Sequence, residues 1–508
     1  MPGHQQTPIS GSKLAITIVV MASALMALID ISIVNVALSD IRASFGTPID
    51  EIGWVSTGYM MANIVVIPMT GWFQRRFGFR RYFSTSVLMF TAASALCGLA
   101  WNLPSLVVFR VLQGMGGGAI IPSAQAILFQ RFPREEHGTA AALFGLGAIT
   151  GPLLGPTIGG YMIDVASWHW IFLINVPIGL TVGLLIPRVI QEPGFQPDKR
   201  PIDKTGIALL AVGMACLQYV LEEGNREGWS DSTLIMVLAG VSAIALITFI
   251  VHELEAPNPV VDLRVFKNRN YSASTGLNFL IGFALFGASY LFSLYCGAVM
   301  HYTALDIGRV FLLAGLAQVL LMPLIGKMAN KVDPRYMLFF GVFMATMSQY
   351  ISAQLTGGAD FYSLVWPNMV RSLGLGFVFI PVSIAALSDL RPEQRGNATG
   401  LFNLTRELGG SLGTAWMGKV VADGIALHST QLGQHVTMFD TATIESWTQI
   451  AKAGLDPAMI LGLRISRESM VLSFNDGFRL TMTAVGLGLV MVLILKKAVR
   501  GEAPSGAH

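Results

Sequence analysis

The chain has 508 residues, 53% of them hydrophobic and 12% charged, with a formal net charge of +3. Soluble domains carry about 25% charged residues, so the composition excludes a soluble globular protein and predicts an all-α integral membrane protein, since helices satisfy their own backbone polar groups in lipid. The small net charge argues against a nucleic-acid partner, and Cys97, Cys216 and Cys296, each inside an apolar run, cannot frame a disulfide-rich secreted domain.

A spanning helix needs about 20 apolar residues. Runs of that length begin near Lys13, Glu51, Tyr82, Pro104, His137, Ile171, Asp203, Asp231, Tyr271, Leu305, Tyr336, Phe361, Gly396 and Asp476, which predicts fourteen transmembrane helices. Most connections are short, so neighbours should run antiparallel. The first run, KLAITIVVMASALMALIDISIVNVALSDI, encloses one acid, Asp30. A signal peptide's apolar core is only about 7–15 residues, so this run is expected to remain in the mature protein. A carboxylate at such depth costs at least about 2.5 kcal/mol on the insertion scale, which marks Asp30 as a functional candidate.

The connection after the second run, GWFQRRFGFRR, is strongly basic. On the fourth run Arg110, Gln113, Gly114 and Gly117 share a helical face. A guanidinium near Asp30 would favour its charged form, while burial would favour the neutral one. On the fifth run Gly147, Gly151, Gly155 and Gly159 recur every four residues, with Gly160 beside them. Such a face lets another helix approach closely, and Pro152 and Pro156 are expected to bend the helix. On the thirteenth run Asn403, Glu407, Gly410, Ser411 and Thr414 form a polar stripe, and Arg406 need not pair with Glu407 because adjacent helical residues do not face each other. Arg371 on the twelfth run is out of register with Arg110 and receives no role.

Basic residues set the orientation. With a cytoplasmic N-terminus, the outer connections hold only Arg42, Arg226, Lys419, Lys452, Arg464 and Arg467, and most of the 33 Lys and Arg fall inside. An even helix count then predicts that both termini are cytoplasmic. An internal repeat is also visible. GWFQRRFGFRR from Gly71 returns as GKMANKVDPRY from Gly326, and IPSAQAILFQRFPREEHG around Pro122 returns as IPVSIAALSDLRPEQRGN around Pro381. Residues 1–190 and 271–508 are therefore predicted to be two six-helix bundles, and 191–270 to be linkers carrying two inserted helices. Within the second linker, VVDLRVF should lie either on the inner membrane surface or in solvent. Residues 422–475 are expected to form a long outer segment with short amphipathic helices, and segments of that length are functional or disordered.

Two six-helix halves, each with a basic loop after its second helix, resemble the major facilitator superfamily. LIDISIVNVAL at 28–38 resembles the first-helix signature of its fourteen-helix drug:proton antiporters. GWFQRRFGFRR is similar to the superfamily's loop motif (Gly71, Arg75, Arg76, Gly78, Arg80, Arg81), but Arg75 stands where an Asp is customary. LVVFRVLQGMGGGA at 106–119, GLGAITGPLLGPTIGGY at 145–161, WHWIFLINVPIGL at 168–180 and NLTRELGGSLGTA at 403–415 match further family motifs in order.

The resemblance implies a major facilitator fold and a proton-driven antiporter that exports hydrophobic or amphiphilic drugs across a bacterial inner membrane. It implies proton coupling at Asp30, Glu407 and Arg110. A substrate cavity would include Met26, Gln113, Asn403, Arg406 and Ser411. The glycine motif (Gly147, Gly151, Pro152, Gly155, Pro156, Gly159, Gly160) would govern how the halves seal, and the basic loop would latch them. It further implies an inner-membrane pump of a tripartite system, whose periplasmic adaptor docks on 422–475 and leads to an outer-membrane channel. No cofactor or metal is expected, since a proton entering down the potential supplies about 2.3 kcal/mol per 100 mV and no GxxxxGK[ST] motif is present. The alternatives are a dedicated exporter of one metabolite, such as a fatty acid or siderophore, and a non-transport membrane enzyme, for which no nucleophile–base or metal-ligand constellation speaks.

Overall fold

A computed structural model describes residues 11–387, 390–436, 441–453 and 456–495, and these residues form helices and no extended strand. In order they are α1 (Lys13–Phe45), the short α2 (Ile49–Ile52), α3 (Trp54–Gly98), α4 (Leu103–Arg131), α5 (His137–Val165), the short α6 (Trp170–Leu173), α7 (Asn175–Val189), α8 (Lys204–Glu223), α9 (Thr233–Glu255), α10 (Arg269–Ala298), α11 (Ala304–Lys331), α12 (Pro334–Ser352), α13 (Phe361–Leu387), α14 (Pro392–His435), α15 (Thr441–Lys452) and α16 (Pro457–Ile494). Among the described residues, nine helices are long and apolar enough to cross a membrane.

Three features bear on the sequence reading. The second and third predicted helices are both present and meet within α3 at Gly78, a non-helical kink whose φ of 78° suits glycine alone. The basic connection is thus mostly helical. Its restart is capped from a distance: Glu192 accepts the backbone N–H groups of Phe79 and Arg80, both at 2.9 Å. Burial pushes the Glu192 carboxyl up, against the pull of those two donors.

The linker segment VVDLRVF has one buried and one exposed side, the exposed side carrying Arg264 and Phe266. Val260, Val261 and Val265 are buried, because the segment packs on α9 and α10 and its valines outweigh its two charges.

Residues 422–475 are largely helical continuations of their neighbours. α14 runs on to His435, α15 is short and amphipathic, and α16 starts at Pro457 rather than near Asp476, with the Asp456 carboxylate accepting from Ala458 N at 3.0 Å. Helices continue past the apolar stretch because nothing outside a bilayer requires an apolar side chain, and Asp456 with Pro457 at N1 is a helix start signal. Residues 437–440 and 454–455 lie outside the described part of this segment.

Each half has its own apolar core, built around Phe83, Phe90 and Ile120 in the first and Phe292, Phe474 and Phe478 in the second. A third cluster joins the halves through Ile67, Phe129 and Ala142 on one side and Met322, Leu387 and Phe402 on the other. α8 and α9 pack on each other, and α8 leans on α3.

Candidate functional site

The apolar periodicity of α1 places Asp30 on its buried side, facing α4 and α7, and the residue is fully buried. One oxygen, Oδ2, accepts from Arg110 Nη1 at 2.8 Å. The other, Oδ1, accepts from Gln113 Nε2 and from Asn175 Nδ2, each at 2.8 Å. Arg110, 1% exposed, spends its remaining donors inward rather than reaching for the surface. Its Nε donates to Val55 O at 3.0 Å, Nη1 also donates to Gln113 Oε1 at 2.7 Å, and the guanidinium lies 4.2 Å from the Tyr59 ring centroid. Ser94 Oγ accepts from both Gln113 and Asn175 at 3.1 Å and donates to Phe172 O at 2.9 Å.

A buried ion pair holds only when its other lone pairs and protons are met, and here they are. All three side chains that reach Asp30 are donors, so the geometry is built around a carboxylate, and removing its charge would leave Arg110 buried without a counter-ion.

The sequence reading missed Asn175, Ser94 and Tyr59. Asn175 carried a signal, as an amide at the start of an apolar helix with no solvent-facing reason to be there. Ser94 and Tyr59 carried none, since both residue types are ordinary in membrane helices.

The polar stripe of α14 faces the first half. Asn403, Arg406 and Glu407 border a cleft with Met60, Asn63 and Ile121. Asn403 Nδ2 donates to Gln125 Oε1 on α4 at 2.7 Å, and Gln125 Nε2 donates to Ser383 Oγ on α13 at 3.3 Å, so buried amides bridge the halves. Arg406 and Glu407 do pair, at 3.3 Å. The expectation that they need not pair considered helical directions and not the reach of a flexible arginine stem at a cleft wall. Two other expected cavity residues sit elsewhere. Met26 is a core residue against Gly179 of α7, where an added Cβ would come within 3.2 Å of its sulfur. Ser411 is half-buried and does not border this cleft.

The glycine face of α5 packs on α1. A Cβ on Gly147 would meet Met21, on Gly151 Leu28 at 2.4 Å, on Gly155 Ser32, and on Gly159 Ile33 at 2.7 Å, whereas Gly160 has nothing within 4 Å. This seam lies inside the first half. The contacts of α5 with the second half are made nearer its start, where Gly138 N donates to Asn330 Oδ1 at 2.8 Å and a Cβ on Gly145 would meet Met322 at 2.5 Å. The side chains of Pro152 and Pro156, expected to bend the helix, lie outside the described residues, and α5 is continuous across them.

The basic loop lies at the same end. Gly71 is in backbone contact with α14, since a Cβ there would sit 2.4 Å from Asn397 Cα. Arg76 donates to Asp198 O and to Arg200 O, the latter at 3.2 Å, while Arg75 O accepts from Asp198 N at 3.1 Å. Hydrogen bonds from Arg200 hold the Asp198 carboxyl at about 2. Arg80 and Arg81 are exposed. Asn397 clips the second linker through Asp262 N and O, at 3.1 and 2.9 Å. The loop thus straps its own half to the linker while its glycine touches the other half.

Comparison with known proteins places this geometry in a family context. The family model described as Major Facilitator Superfamily matches residues 20–414. The multidrug export protein EmrB of Haemophilus influenzae is 34% identical over 499 residues, covering 96% of this chain and 97% of that protein. The fatty acid resistance protein FarB of Neisseria gonorrhoeae is 30% identical over 478 residues, covering 93% and 94%. Among solved structures, the human organic anion transporter MFSD10 (TETRAN) superposes with a TM-score of 0.61 at 13% identity, covering 94% of this chain and 100% of that one, a likeness of fold alone.

Proposed function

Because the chain belongs to the Major Facilitator Superfamily, as a multi-pass membrane transporter with drug-export relatives, we propose that it is a proton-driven antiporter. It exports hydrophobic or amphiphilic drugs from the cytoplasm. The observation that carries this reading is the buried Asp30–Arg110 pair, with Gln113 and Asn175 donating to the same carboxylate, so that a proton arriving there has to break the pair and rearrange the cluster. Glu407 and Arg406 at the cleft supply a second ionisable pair, where substrate and proton can be traded.

The proposal includes fourteen spans, both termini in the cytoplasm and location in a bacterial inner membrane. Residues 1–190 and 271–508 are the two moving bundles, with α8 and α9 inserted between them. The inter-half contacts at Gly71, Gly138 and Asn403 lie toward the basic-loop end or the middle, which supports a state closed to the cytoplasm. The helical segment 422–475 docks a periplasmic adaptor leading to an outer-membrane channel. Nothing in this scheme needs a cofactor beyond the proton gradient.

The test is reconstitution in liposomes with an imposed pH gradient. Wild type should export a hydrophobic cation uphill. Asp30→Asn, a mimic of the proton-loaded state, should insert normally, since an amide is cheaper in lipid than a carboxylate, yet lose uphill export. Asp30→Glu should keep part of it. Uphill export by Asp30→Asn would make Asp30 structural and transfer the role to Glu407.

A second reading, a dedicated exporter of one metabolite such as a fatty acid, is favoured by the FarB relative. A susceptibility panel in a pump-deficient bacterium separates the two, since a broad protective spectrum is expected only of a drug pump.

A further inference from the structure

The second half carries an arginine for which the described residues supply no carboxylate. Arg371, on α13, is 6% exposed. Its Nη1 donates to Ser289 Oγ on α10 at 3.2 Å, and its guanidinium lies 5.8 Å from the Phe311 ring centroid on α11. Its Nε has no hydrogen-bond partner among the described residues. The ion pairs of the described residues include Asp30–Arg110 and Arg406–Glu407 but none to Arg371. The arginine borders an apolar cleft with Ile281, Leu285, Leu375, Val378 and Val485.

The internal repeat shows what differs. The spacing that relates Pro122 to Pro381 relates Asp30 to Ser289, the spacing that relates Gly71 to Gly326 relates it to Leu285, and neither position carries an acid. In the first half the arginine meets Asp30 and a tyrosine ring. In the second it meets Ser289 and a phenylalanine ring. A ring is present in both, and where the first half supplies a carboxylate the second supplies only a hydroxyl. A guanidinium does not shed its proton in a protein, and an isolated buried charge is strongly disfavoured. Its positive charge calls for an anion that comes and goes, and the apolar walls around it call for that anion to carry a tail.

We propose that Arg371 and Ser289 form an anion-recognising site that takes the carboxylate head of an amphiphile, with its apolar tail along the cleft between α10, α12, α13 and α16, which has to widen to admit it. The guanidinium supplies a charge-assisted pair, the serine hydroxyl a further donor, and the walls select against free inorganic anions. That the amphiphile is cargo rests on the export reading; that it binds here does not.

The test measures binding to the full chain in nanodiscs of neutral lipid, by the thermal midpoint against added laurate, methyl laurate or sodium chloride. Laurate should raise the midpoint, and methyl laurate and chloride should not. Arg371→Gln should weaken laurate binding at least about tenfold, the scale of one hydrogen bond to a charged group, and Arg371→Lys should keep part of it. Ser289→Asp should abolish the laurate effect with the arginine still present, because the built-in carboxylate takes the ligand's place. That variant neutralises the buried charge, so it carries the test even if Arg371→Gln fails to fold. Undiminished laurate binding by Ser289→Asp would overturn the proposal. So would equal shifts from laurate and its ester, a chloride shift matching laurate's, or loss of the laurate shift once phosphatidylglycerol is added, which would assign the site to a counter-ion or a lipid headgroup. If wild type binds laurate but drives no proton-coupled export, only the export reading falls.

Discussion

At the scale of single residues, the Asp30 cluster draws on α1, α3, α4 and α7, and the donors to its carboxylate come from α4 and α7. Asn175, at the start of α7, supplies one of the three side-chain hydrogen bonds to the carboxylate. A hydrogen bond to a charged group contributes about 1.5–3 kcal/mol. Asn175→Ala should therefore lower the stability of the detergent-purified protein by about that amount, seen as a drop in thermal midpoint, and should slow export without abolishing membrane insertion. An unchanged midpoint would show that the amide contributes nothing to the pair. Gln113 shares Asp30 and Ser94 with Asn175 and also accepts from Arg110, so Gln113→Leu should cost more, because it strips Arg110 of an acceptor as well as Asp30 of a donor.

At the scale of elements, the close approach of α5 to α1 rests on glycines whose missing side chains are occupied by α1. A Cβ on Gly151 would come within 2.4 Å of Leu28 Cβ and 3.0 Å of its carbonyl carbon, and neither can yield without moving the helix. Gly151→Ala is expected to cost about 1–3 kcal/mol through overpacking, measured by thermal unfolding. Gly160→Ala, on the same helix with nothing within 4 Å, should be neutral or slightly stabilising through helix propensity. Equal effects at the two positions would dissolve the seam. Gly78 is the break in α3, and Gly78→Ala would combine a positive φ with a Cβ 2.8 Å from Glu192 Oε2. It should destabilise the restart of the helix more than Arg80→Ala, which removes only an exposed side chain.

At the scale of the whole molecule, the halves meet where Asn330 Nδ2 reaches Thr139 Oγ1 at 3.4 Å. Paired cysteines at Thr139 and Asn330 should cross-link under oxidation, stop export in liposomes, and release it on reduction. Export by the fully cross-linked protein would remove this contact from the transport cycle. The orientation predicts that Cys at Ser230 or Ser429 is labelled from outside by an impermeant thiol reagent in intact cells, and Cys at Gln196 or Gln394 is not. Deleting α15 should leave proton-coupled transport in vesicles intact while abolishing resistance in cells. Full resistance after the deletion would remove the adaptor from the scheme.

The sequence alone determined the class of fold and the first pair of site residues. Apolar runs have no alternative to helix in lipid, and an acid or arginine within them is too costly to be incidental, so Asp30 and Arg110 stood out singly. The repeated motifs added the family. Only the tertiary structure decided which charges meet and which are left over. Asn175 and Ser94 join Asp30 because helix ends and crossings bring them there. Met26 falls into a core and Gly160 into open space because periodicity names a face without naming what lies opposite. Arg371 is out of register with Arg110 by chain position, yet its long side chain reaches Ser289 on α10, the helix that the repeat relates to α1. A helix's sequence specifies the direction of each side chain, and the packing of several helices around a shared cavity specifies its partners.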